Sequence, residues 1–391
     1  MQAGDVLTLP QPDPEAEAHS LKCRQFIAER IAEAGGALSF AEFMQHALYA
    51  PGLGYYTAGS RKFGADGDFV TAPEVSPLFA CVLARQIAPT LRAIRGAEVL
   101  EIGAGSGRLA ADVLTRLASL DALPERYLIL EVSPDLAERQ RSYLEVRVPE
   151  FAERVVWLAD WPSGFRGAVL ANELLDALPA ERFVYRRGRC RRQCVGLDEG
   201  RFRFTECEAP DALSTQWRAL RDQWGNTWPE GYTSEFVPAA RGWIADLAGS
   251  LATALVLLFD YGVPRREYYA PTRRDGWLRC HYRHRAHGDP LILTGIQDIT
   301  TWVDFTAVAE AAVDAGLEVA GFGTQAAFLL GGGLAAELDS AAPERALALS
   351  REAKLLTLPG EMGEHFKYLC LMSGDLEAPE ALGFGDQRHR L

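Results

Sequence analysis

The sequence has 391 residues, a formal net charge of −13 and 48% hydrophobic residues. That length suits one large α/β domain with an appended part, or two domains. The sequence contains no run of about 18 uninterrupted apolar residues, so no membrane span is expected. A nucleic-acid partner is not expected either, because the phosphates would repel an acidic chain.

The composition of the first twenty residues bears on the compartment. They include prolines and acids but no Arg or Lys. A secretory signal starts with basic residues and an apolar run, and a transit peptide is rich in Arg and poor in acids. Seven scattered cysteines are typical of free thiols in a reducing cytosol. These features predict a cytoplasmic protein with a disordered tail over residues 1–20.

Two segments resemble metal sites but are interpreted otherwise. Cys190 and Cys194 are spaced C-x3-C in a strand-like run without a matching second pair, which disfavours zinc. The histidines of HYRHRAHGD, residues 281–289, alternate with arginines whose charges would oppose a cation. No metal is expected, and the His-rich run is interpreted as a structural or substrate-facing insert.

Two helices are predicted on the N-terminal side. Apolar residues at helical spacing begin near Ser20 and end at a pair of glycines. Ser39 is the predicted N-cap of the second helix, with Glu42 completing a capping box. Residues 50–79 then have little periodicity, which is more typical of a functional segment than of filler.

From residue 97, strand-like runs alternate with helical patterns, which is the signature of an open parallel sheet. The sequence predicts an α/β, Rossmann-like fold with seven mostly parallel strands, the last two forming an antiparallel edge. Ser133 is the predicted N-cap of the second helix between them. The predicted strands occupy residues 97–103, 126–133, 155–161, 168–174, 254–262, 319–330 and 365–374.

Two inserts interrupt this alternation. Residues 183–206 are predicted to form short antiparallel strands around Gly188 and Gly200, followed by a Trp-rich helical stretch to about residue 230. Residues 263–298 carry the dense run of His, Tyr and Arg. We expect both inserts to lie over the crevice of the sheet.

The run VLEIGAGSGRLA places Gly103, Ala104, Gly105 and Gly107 between a strand and a helix. Glycines at such a turn let the backbone bend sharply and lie against a nucleotide. A dinucleotide fingerprint needs its last glycine one place later, where this sequence has Arg108. The tighter spacing suits a ligand without a pyrophosphate, such as S-adenosyl-L-methionine. Ordinary turn glycines are the alternative.

Ligands of open α/β sheets bind off the carboxyl ends of the strands. Glu131 ends the second strand, beside Val132, where a carboxylate can accept both ribose hydroxyls. Asp160 and Trp161 end the third strand, where they can hold the adenine amine and ring face. The strand-ending residues expected to line one crevice are Glu101, Glu131, Asp160, Asn172, Glu173 and Asp260.

Asn172 and Glu173 end the fourth strand, in ANELLDALP. A carboxylate there can hold a guanidinium bidentately and orient one nitrogen toward a sulfonium. Asp176 either assists it or is a carboxylate at a helix N-terminus, favoured by the macrodipole.

Several motifs resemble, in chain order, those of the MidA-like methyltransferases. They include FMQHALYAPGLGYY, GDFVTAPEVSPLF, LEIGAGSGRLA, ANELLDALP, LLFDYG and GIQDITTWVDF, within residues 21–373. That family includes a mitochondrial complex I assembly factor that methylates an arginine. The resemblance implies a class I methyltransferase fold with S-adenosyl-L-methionine as cofactor. It implies cofactor binding by the glycine loop and Glu131. In the motif ANELLDALP, Asn172 is expected to contact the cofactor, whereas Glu173 and Asp176 are expected to act on the substrate.

The resemblance also implies a lid, which would shield a reactive sulfonium from water. Thr71 and Pro73 are expected to contact the cofactor, and Glu74 is a candidate second catalytic carboxylate. Trp302 departs from the relatives, which often have His at that place. The lid motif GDF-x-T-x-PE falls on Gly67, Asp68, Phe69, Thr71, Pro73 and Glu74.

These observations predict a protein arginine N-methyltransferase that depends on S-adenosyl-L-methionine and acts on a respiratory complex I subunit or a similar protein. The alternatives are a non-catalytic assembly chaperone with a methyltransferase fold and a small-molecule methyltransferase. An intact glycine loop and Glu131 favour cofactor binding, which a scaffold does not need. The oligomeric state stays open, a homodimer included.

The predicted organisation follows from these assignments. It comprises a tail at 1–20, N-terminal helices and a cofactor lid at 21–95, the core that binds S-adenosyl-L-methionine at 96–182, a substrate-side insert at 183–250, the rest of the core at 251–373 with the insert 263–298, and a tail at 374–391.

Overall fold

The computed structural model describes residues 9–58, 71–224 and 227–391, without the side chain of Trp224. The chain divides into two compact units that alternate along the sequence. The first unit comprises residues 1–69, 177–239 and 266–301, and the second comprises residues 70–176, 240–265 and 302–391.

The elements are numbered in chain order. The helices are α1 (Pro14–Glu33), α2 (Phe40–Tyr49), α3 (Ala72–Val75), α4 (Pro77–Ala93), α5 (Arg108–Ser119), α6 (Pro134–Arg147), α7 (Asp211–Trp224), α8 (Pro238–Ser250), α9 (Arg265–Tyr268), α10 (Phe305–Asp314), α11 (Gln325–Gly331), α12 (Leu334–Asp339), α13 (Pro343–Thr357) and α14 (Met362–His365). The strands are β1 (Ala37–Ser39), β2 (Glu98–Ile102), β3 (Tyr127–Leu130), β4 (Val155–Leu158), β5 (Phe165–Asn172), β6 (Glu181–Arg186), β7 (Arg189–Asp198), β8 (Arg201–Cys207), β9 (Thr233–Phe236), β10 (Leu251–Val263), β11 (Arg279–Tyr282), β12 (Arg285–His287), β13 (Asp298–Thr300), β14 (Val303–Asp304), β15 (Glu318–Thr324) and β16 (Phe366–Ser373).

Helix α1 starts earlier than predicted. The Asp13 side chain accepts a hydrogen bond from the backbone N–H of Ala16 at 2.9 Å, and Pro14 occupies the first helical turn. A capping carboxylate followed by proline is a strong helix start. The prediction of a helix start near Ser20 is therefore wrong, and residues 14–20 are helical instead of disordered.

The predicted capping box of α2 is confirmed. The Ser39 hydroxyl accepts a hydrogen bond from the backbone N–H of Glu42 at 3.1 Å. The Glu42 carboxylate accepts one from the backbone N–H of Ser39 at 2.9 Å. These reciprocal bonds satisfy two N–H groups that the helix start leaves open.

The first unit contains two antiparallel sheets. In the larger one the strand order is β1-β7-β6-β9, with β8 paired to β7. The predicted turns at Gly188 and Gly200 are confirmed, and both glycines have φ near +75°. The His-rich insert forms the smaller sheet, in the order β12-β11-β13.

The second unit is built on a sheet in the order β15-β16-β10-β5-β2-β3-β4, which β14 extends at β10. Strands β2, β3, β4, β5 and β10 pair in parallel, so the predicted seven-stranded, mostly parallel sheet is confirmed. Within the sheet, β3 and β4 lie on one side of β2, whereas β5 and β10, which come later in the chain, lie on the other side. This reversal next to β2 is a topological switch point, where ligands of such sheets bind.

The predicted antiparallel edge is present, but one of its two strands is shorter than predicted. Strand β16 is antiparallel to both β10 and β15, so β15 runs in the same direction as the parallel strands. The strand predicted over residues 319–330 ends at Thr324. There the Thr324 hydroxyl accepts a hydrogen bond from the backbone N–H of Ala327 at 3.1 Å and caps α11.

The core of the second unit lies around β10. From Ala254 to Asp260, each residue of β10 is at most 1% exposed. A continuous apolar run of this kind is typical of a strand covered by helices on both faces. Among the described helices, none is both long and apolar enough to cross a membrane.

Candidate active site

The glycine loop connects β2 to the start of α5. Gly103, Gly105 and Gly107 have φ values of 70°, 54° and 83°, in the left-handed region that favours glycine. A Cβ on Gly103 would also lie 3.0 Å from Cδ1 of Leu174, on the segment after β5. The loop backbone thus approaches the end of β5 closely, at the switch point of the sheet.

Helix α3 is bound to this loop through Glu74. The Ser106 hydroxyl donates a hydrogen bond to the Glu74 carboxylate. Nη1 of Arg108 donates to the Glu74 carbonyl at 3.1 Å and lies 3.4 Å from its Oε2. Arg108, which replaces the last glycine of a dinucleotide fingerprint, therefore anchors α3 to the loop.

The other residues predicted for the lid are only partly described. Gly67, Asp68 and Phe69 lie outside the described residues. Thr71 precedes α3, and its carbonyl accepts hydrogen bonds from the backbone N–H groups of Glu74 and Val75. Pro73 is buried within α3. The roles of Thr71 and Pro73 in cofactor binding, and of Glu74 as a second carboxylate, stay predictions.

Glu131 follows β3 and has both carboxylate oxygens fixed. Oε1 accepts a hydrogen bond from the backbone N–H of Ser133 at 2.9 Å, and Oε2 accepts one from Nε2 of Gln140 at 3.0 Å. The same Nε2 donates to the Gly105 carbonyl at 3.1 Å. Val132, next to Glu131, is 70% exposed. The predicted ribose carboxylate is thus tied to the glycine loop.

Gln140 was not predicted as a site residue. It is fully buried on α6, and its Oε1 accepts a hydrogen bond from the Trp157 indole at 2.9 Å. Leu136, Gln140 and Leu144 recur every fourth residue on the buried face of α6. A polar residue on such an apolar stripe is the signal that would have identified it.

Asp160 and Trp161 lie beyond the end of β4, at the edge of the sheet. Asp160 is exposed, and Trp161 is half-buried with its ring edge-on to Trp243 of α8 at 5.7 Å. Trp243 was not predicted as a site residue. The contacts of Asp160 and Trp161 with adenine stay a prediction.

Asn172 and Glu173 lie where β5 ends. Nδ2 of Asn172 donates a hydrogen bond to Oε1 of Glu173 at 3.0 Å. Glu173 has φ of 50°, which is strained for a residue with a side chain. Oδ1 of Asn172 is buried and has no hydrogen-bond partner among the described residues. A buried acceptor of this kind fits a ligand that brings a hydrogen-bond donor.

Asp176 is not at a helix N-terminus, so that alternative is wrong. Residues 173–178 form turns between β5 and β6. The backbone N–H of Asp176 donates to Asp260 at 3.2 Å, and Asp176 is 5% exposed. Whether its carboxylate assists Glu173 stays a prediction.

Glu101 does not line the predicted crevice. It lies within β2, is 3% exposed, and accepts a hydrogen bond from the Tyr127 hydroxyl at 2.6 Å. Burial raises the pKa of Glu101 to about 7, and the hydrogen bond from Tyr127 opposes this shift. Strand β2 continues to Ile102, so Glu101 lies within the strand and not at its end, and its side chain is buried.

Comparison with known proteins identifies the family. A model of S-adenosyl-L-methionine-dependent methyltransferases matches residues 82–323. The chain belongs to this methyltransferase family. It is also 39% identical to a Burkholderia thailandensis protein whose crystal structure holds S-adenosyl-homocysteine. That match has a TM-score of 0.93 and covers 98% of this chain and 100% of the other.

Curated relatives of the methyltransferase are named protein arginine methyltransferase NDUFAF7 or its homolog, mitochondrial. The Drosophila melanogaster relative is 28% identical to this chain, and the match covers 94% of this chain and 90% of the relative. The Danio rerio relative is 29% identical over 87% of this chain and 84% of its own length. The predicted resemblance is therefore confirmed.

The predicted cofactor, S-adenosyl-L-methionine, is confirmed by the family and by the Burkholderia structure. The site fits it in three respects. The loop glycines leave the backbone open to a ligand, and Glu131 is held beside them by Gln140. The buried oxygen of Asn172 still needs a donor. These features favour an adenosyl ligand over a passive turn.

The cytoplasmic location predicted from the sequence is wrong by this comparison, because these curated relatives are mitochondrial proteins. That prediction rested on the composition of the first twenty residues and on the cysteines. All seven cysteines are free. Free thiols fit any reducing compartment, so they do not identify the cytosol.

Proposed function

We propose that this methyltransferase is a protein arginine N-methyltransferase in which Glu173 orients the guanidinium of the substrate. The names of the mitochondrial relatives support arginine as the acceptor. The observation that carries the proposal is the fixed carboxylate of Glu173, held by Asn172 at 3.0 Å on a strained backbone. Strain of this kind is concentrated at functional sites.

The cofactor is assigned to the glycine loop, Glu131 and Asn172. When bound, S-adenosyl-L-methionine supplies an electrophilic methyl group on its sulfonium. Glu131 would accept hydrogen bonds from the ribose hydroxyls, and the loop backbone would leave room for the methionyl part. Helix α3 closes on the loop through Glu74 and thereby excludes water from the reacting centre.

Glu173 acts on the acceptor. A guanidinium is a weak nucleophile because its lone pairs are delocalised. A bidentate carboxylate concentrates the positive charge on the two nitrogens that it contacts, so the remaining nitrogen is freer to attack. The carboxylate also holds that nitrogen in line, which reduces the entropic part of the barrier. Asp176 and Glu74 are the proposed candidates for a second carboxylate.

For the substrate we propose a subunit of respiratory complex I or its counterpart. The resemblance to a complex I assembly factor supports this choice. A homodimer is a further proposal, which light scattering of the purified protein tests.

The test compares Glu173→Gln with Glu310→Gln, which changes an exposed carboxylate paired with Arg265 in the same unit. We expect Glu173→Gln to bind S-adenosylhomocysteine like the wild type and to lower methyl transfer to arginine by roughly 10²-fold or more. Glu310→Gln should transfer normally. Mass spectrometry of complex I subunits from cells that lack the protein identifies the substrate.

Two outcomes would contradict the proposal. Full activity of Glu173→Gln would exclude the carboxylate mechanism. Unchanged arginine methylation in the deficient cells would exclude these subunits as substrates. If Glu173→Gln is inactive yet restores complex assembly in those cells, a chaperone role is favoured instead.

A further inference from the structure

Asp260, near the end of β10, collects four backbone hydrogen bonds. Its Oδ2 accepts the N–H groups of Leu174, Leu175 and Asp176 at 3.1, 2.8 and 3.2 Å. Its Oδ1 accepts the N–H of Tyr261 at 2.8 Å. Three successive N–H groups that converge on one oxygen form a concave anion site of the type called a nest.

This anchor is inside the protein, because Asp260 is 1% exposed. Leu175 and Asp176 are buried as well. Without the carboxylate, their N–H groups would lack acceptors in a region that water does not readily reach. An unpaired buried N–H is unfavourable because it has lost its hydrogen bonds to water without replacing them. The conformation of the turn therefore depends on this one side chain.

The turn that Asp260 holds begins directly after Glu173. The N–H of Glu173 donates to the carbonyl of Phe259 at 2.8 Å, and the next N–H, that of Leu174, donates to Asp260. Consecutive residues of β10 thus fix the backbone on both sides of the Glu173 side chain. They also hold Glu173 at φ of 50°, a conformation that is strained for a residue with a side chain.

We propose that Asp260 is a positioning residue for methyl transfer, which fixes the Glu173 carboxylate through the backbone of residues 173–176 without contacting the substrate. This inference rests on the proposed role of Glu173. In this proposal, Asp260 of the motif LLFDYG holds the backbone of the motif ANELLDALP in place.

The experiment uses the full chain with Asp260→Asn and Asp260→Ala. Asparagine keeps one acceptor oxygen but carries no charge, and its NH2 group must face either the nest or the N–H of Tyr261, so the nest is weakened at little change in volume. Asp386→Asn is the matched control, because Asp386 also accepts backbone N–H groups, from Phe322 and Arg388, on the β15 side of the sheet. Three quantities are measured: amide exchange of residues 173–178, affinity for S-adenosylhomocysteine, and kcat and KM for arginine methylation.

We expect faster amide exchange at residues 174–176 in both Asp260 variants, with the rest of the sheet protected. We expect kcat to fall by roughly 10²-fold, as a misplaced catalytic group does, with cofactor affinity and KM changed far less. Asp386→Asn should leave exchange at these amides and kcat at wild-type values. If Asp260→Ala does not fold, the volume-matched Asp260→Asn carries the test.

If the amides of residues 174–176 exchange at the wild-type rate in Asp260→Asn, then Asp260 does not hold this turn in place. Faster exchange with unchanged kcat would overturn the positioning role. Failure of the proposed function gives a different result: either the wild-type protein does not methylate arginine, or Glu173→Gln keeps full activity. The exchange measurement needs no substrate, so it decides on the anchor in either case.

Discussion

Gln140 donates a hydrogen bond from its side-chain amide to the Glu131 carboxylate over 3.0 Å. The orientation of this amide is set by the Trp157 indole N–H, which requires an oxygen at 2.9 Å. Nε2 must therefore face Glu131 and the Gly105 carbonyl. One buried side chain thus links the glycine loop to the proposed ribose carboxylate.

Gln140→Leu should lower the affinity for S-adenosylhomocysteine by about 1–3 kcal/mol, because Glu131 and the Gly105 carbonyl lose a shared donor. Isothermal titration measures this change. Gln86→Leu is the control, since Gln86 is another buried glutamine that bonds two backbone groups, those of Gly332 and Ala381. Gln86→Leu should cost stability but not affinity. Wild-type affinity in a folded Gln140→Leu variant would contradict the link.

Glu131→Ala should weaken cofactor binding by about 1–3 kcal/mol while the fold stays intact, because the ribose loses its acceptor. The double variant Glu131→Ala/Gln140→Leu should lose less binding free energy than the sum of the losses in the two single variants, since both changes act on the same carboxylate. Fully additive losses would mean that Gln140 acts independently of Glu131. Unchanged affinity in Glu131→Ala would place the ribose elsewhere.

S-adenosylhomocysteine should raise the melting temperature of the protein, and NAD should not. Arg108 occupies the position of the last dinucleotide glycine, and its guanidinium is engaged by Glu74 at 3.1 Å. A ligand at a hundred times its Kd stabilises the fold by about 2.7 kcal/mol, which thermal melting detects readily. Stabilisation by NAD, without stabilisation by the adenosyl ligand, would contradict the cofactor site.

Glu101→Gln should change how stability depends on pH. Burial raises the pKa of Glu101 from 4.5 to about 7, so in this window the folded protein keeps a proton that the unfolded chain releases. The free energy of unfolding then falls as pH rises, by up to about 1.4 kcal/mol per pH unit. Glutamine does not ionise, and its carbonyl still accepts the Tyr127 hydroxyl.

Urea denaturation from about pH 5 to about pH 8 measures this effect. Relative to wild type, Glu101→Gln should become progressively more stable as pH rises. Tyr127→Phe removes the hydrogen bond that opposes the shift, so it should extend the loss of stability to higher pH. A difference between Glu101→Gln and wild type that does not vary with pH would show that Glu101 is already ionised when folded.

Much of the fold could be predicted because local patterns and tertiary packing agree. The helix predicted after Gly107 occurs at residues 108–119, and Ser133 caps α6 as predicted. The error at residues 325–330 has a physical reason, because a short apolar run suits a strand or a buried helix equally. Only the cap at Thr324 distinguishes them.

The parts of the candidate site that lie at strand ends could be predicted from the sequence. The parts that depend on long-range hydrogen bonds could not. The positions of the glycine loop, Glu131 and Asn172 at strand ends follow from the alternation of strands and helices. Their roles in binding the cofactor stay predictions. Gln140 reaches the loop across 35 positions, and Asp260 reaches the Glu173 turn across 84 to 86 positions. Which buried polar groups meet over such separations is decided by packing, which no local pattern contains.

The place of β16 affects how the protein is made. This last strand is inserted between β10 and β15, and β15 joins the sheet only through it among the described strands. While β16 is still within the ribosome, the nascent chain presents the apolar edge of β10 without a partner, and such edges template aggregation. Pairing of β16 with β10 and β15 is therefore a late step of folding. A premature stop before Phe366 should yield an insoluble polypeptide that cellular quality control removes, instead of a shortened enzyme.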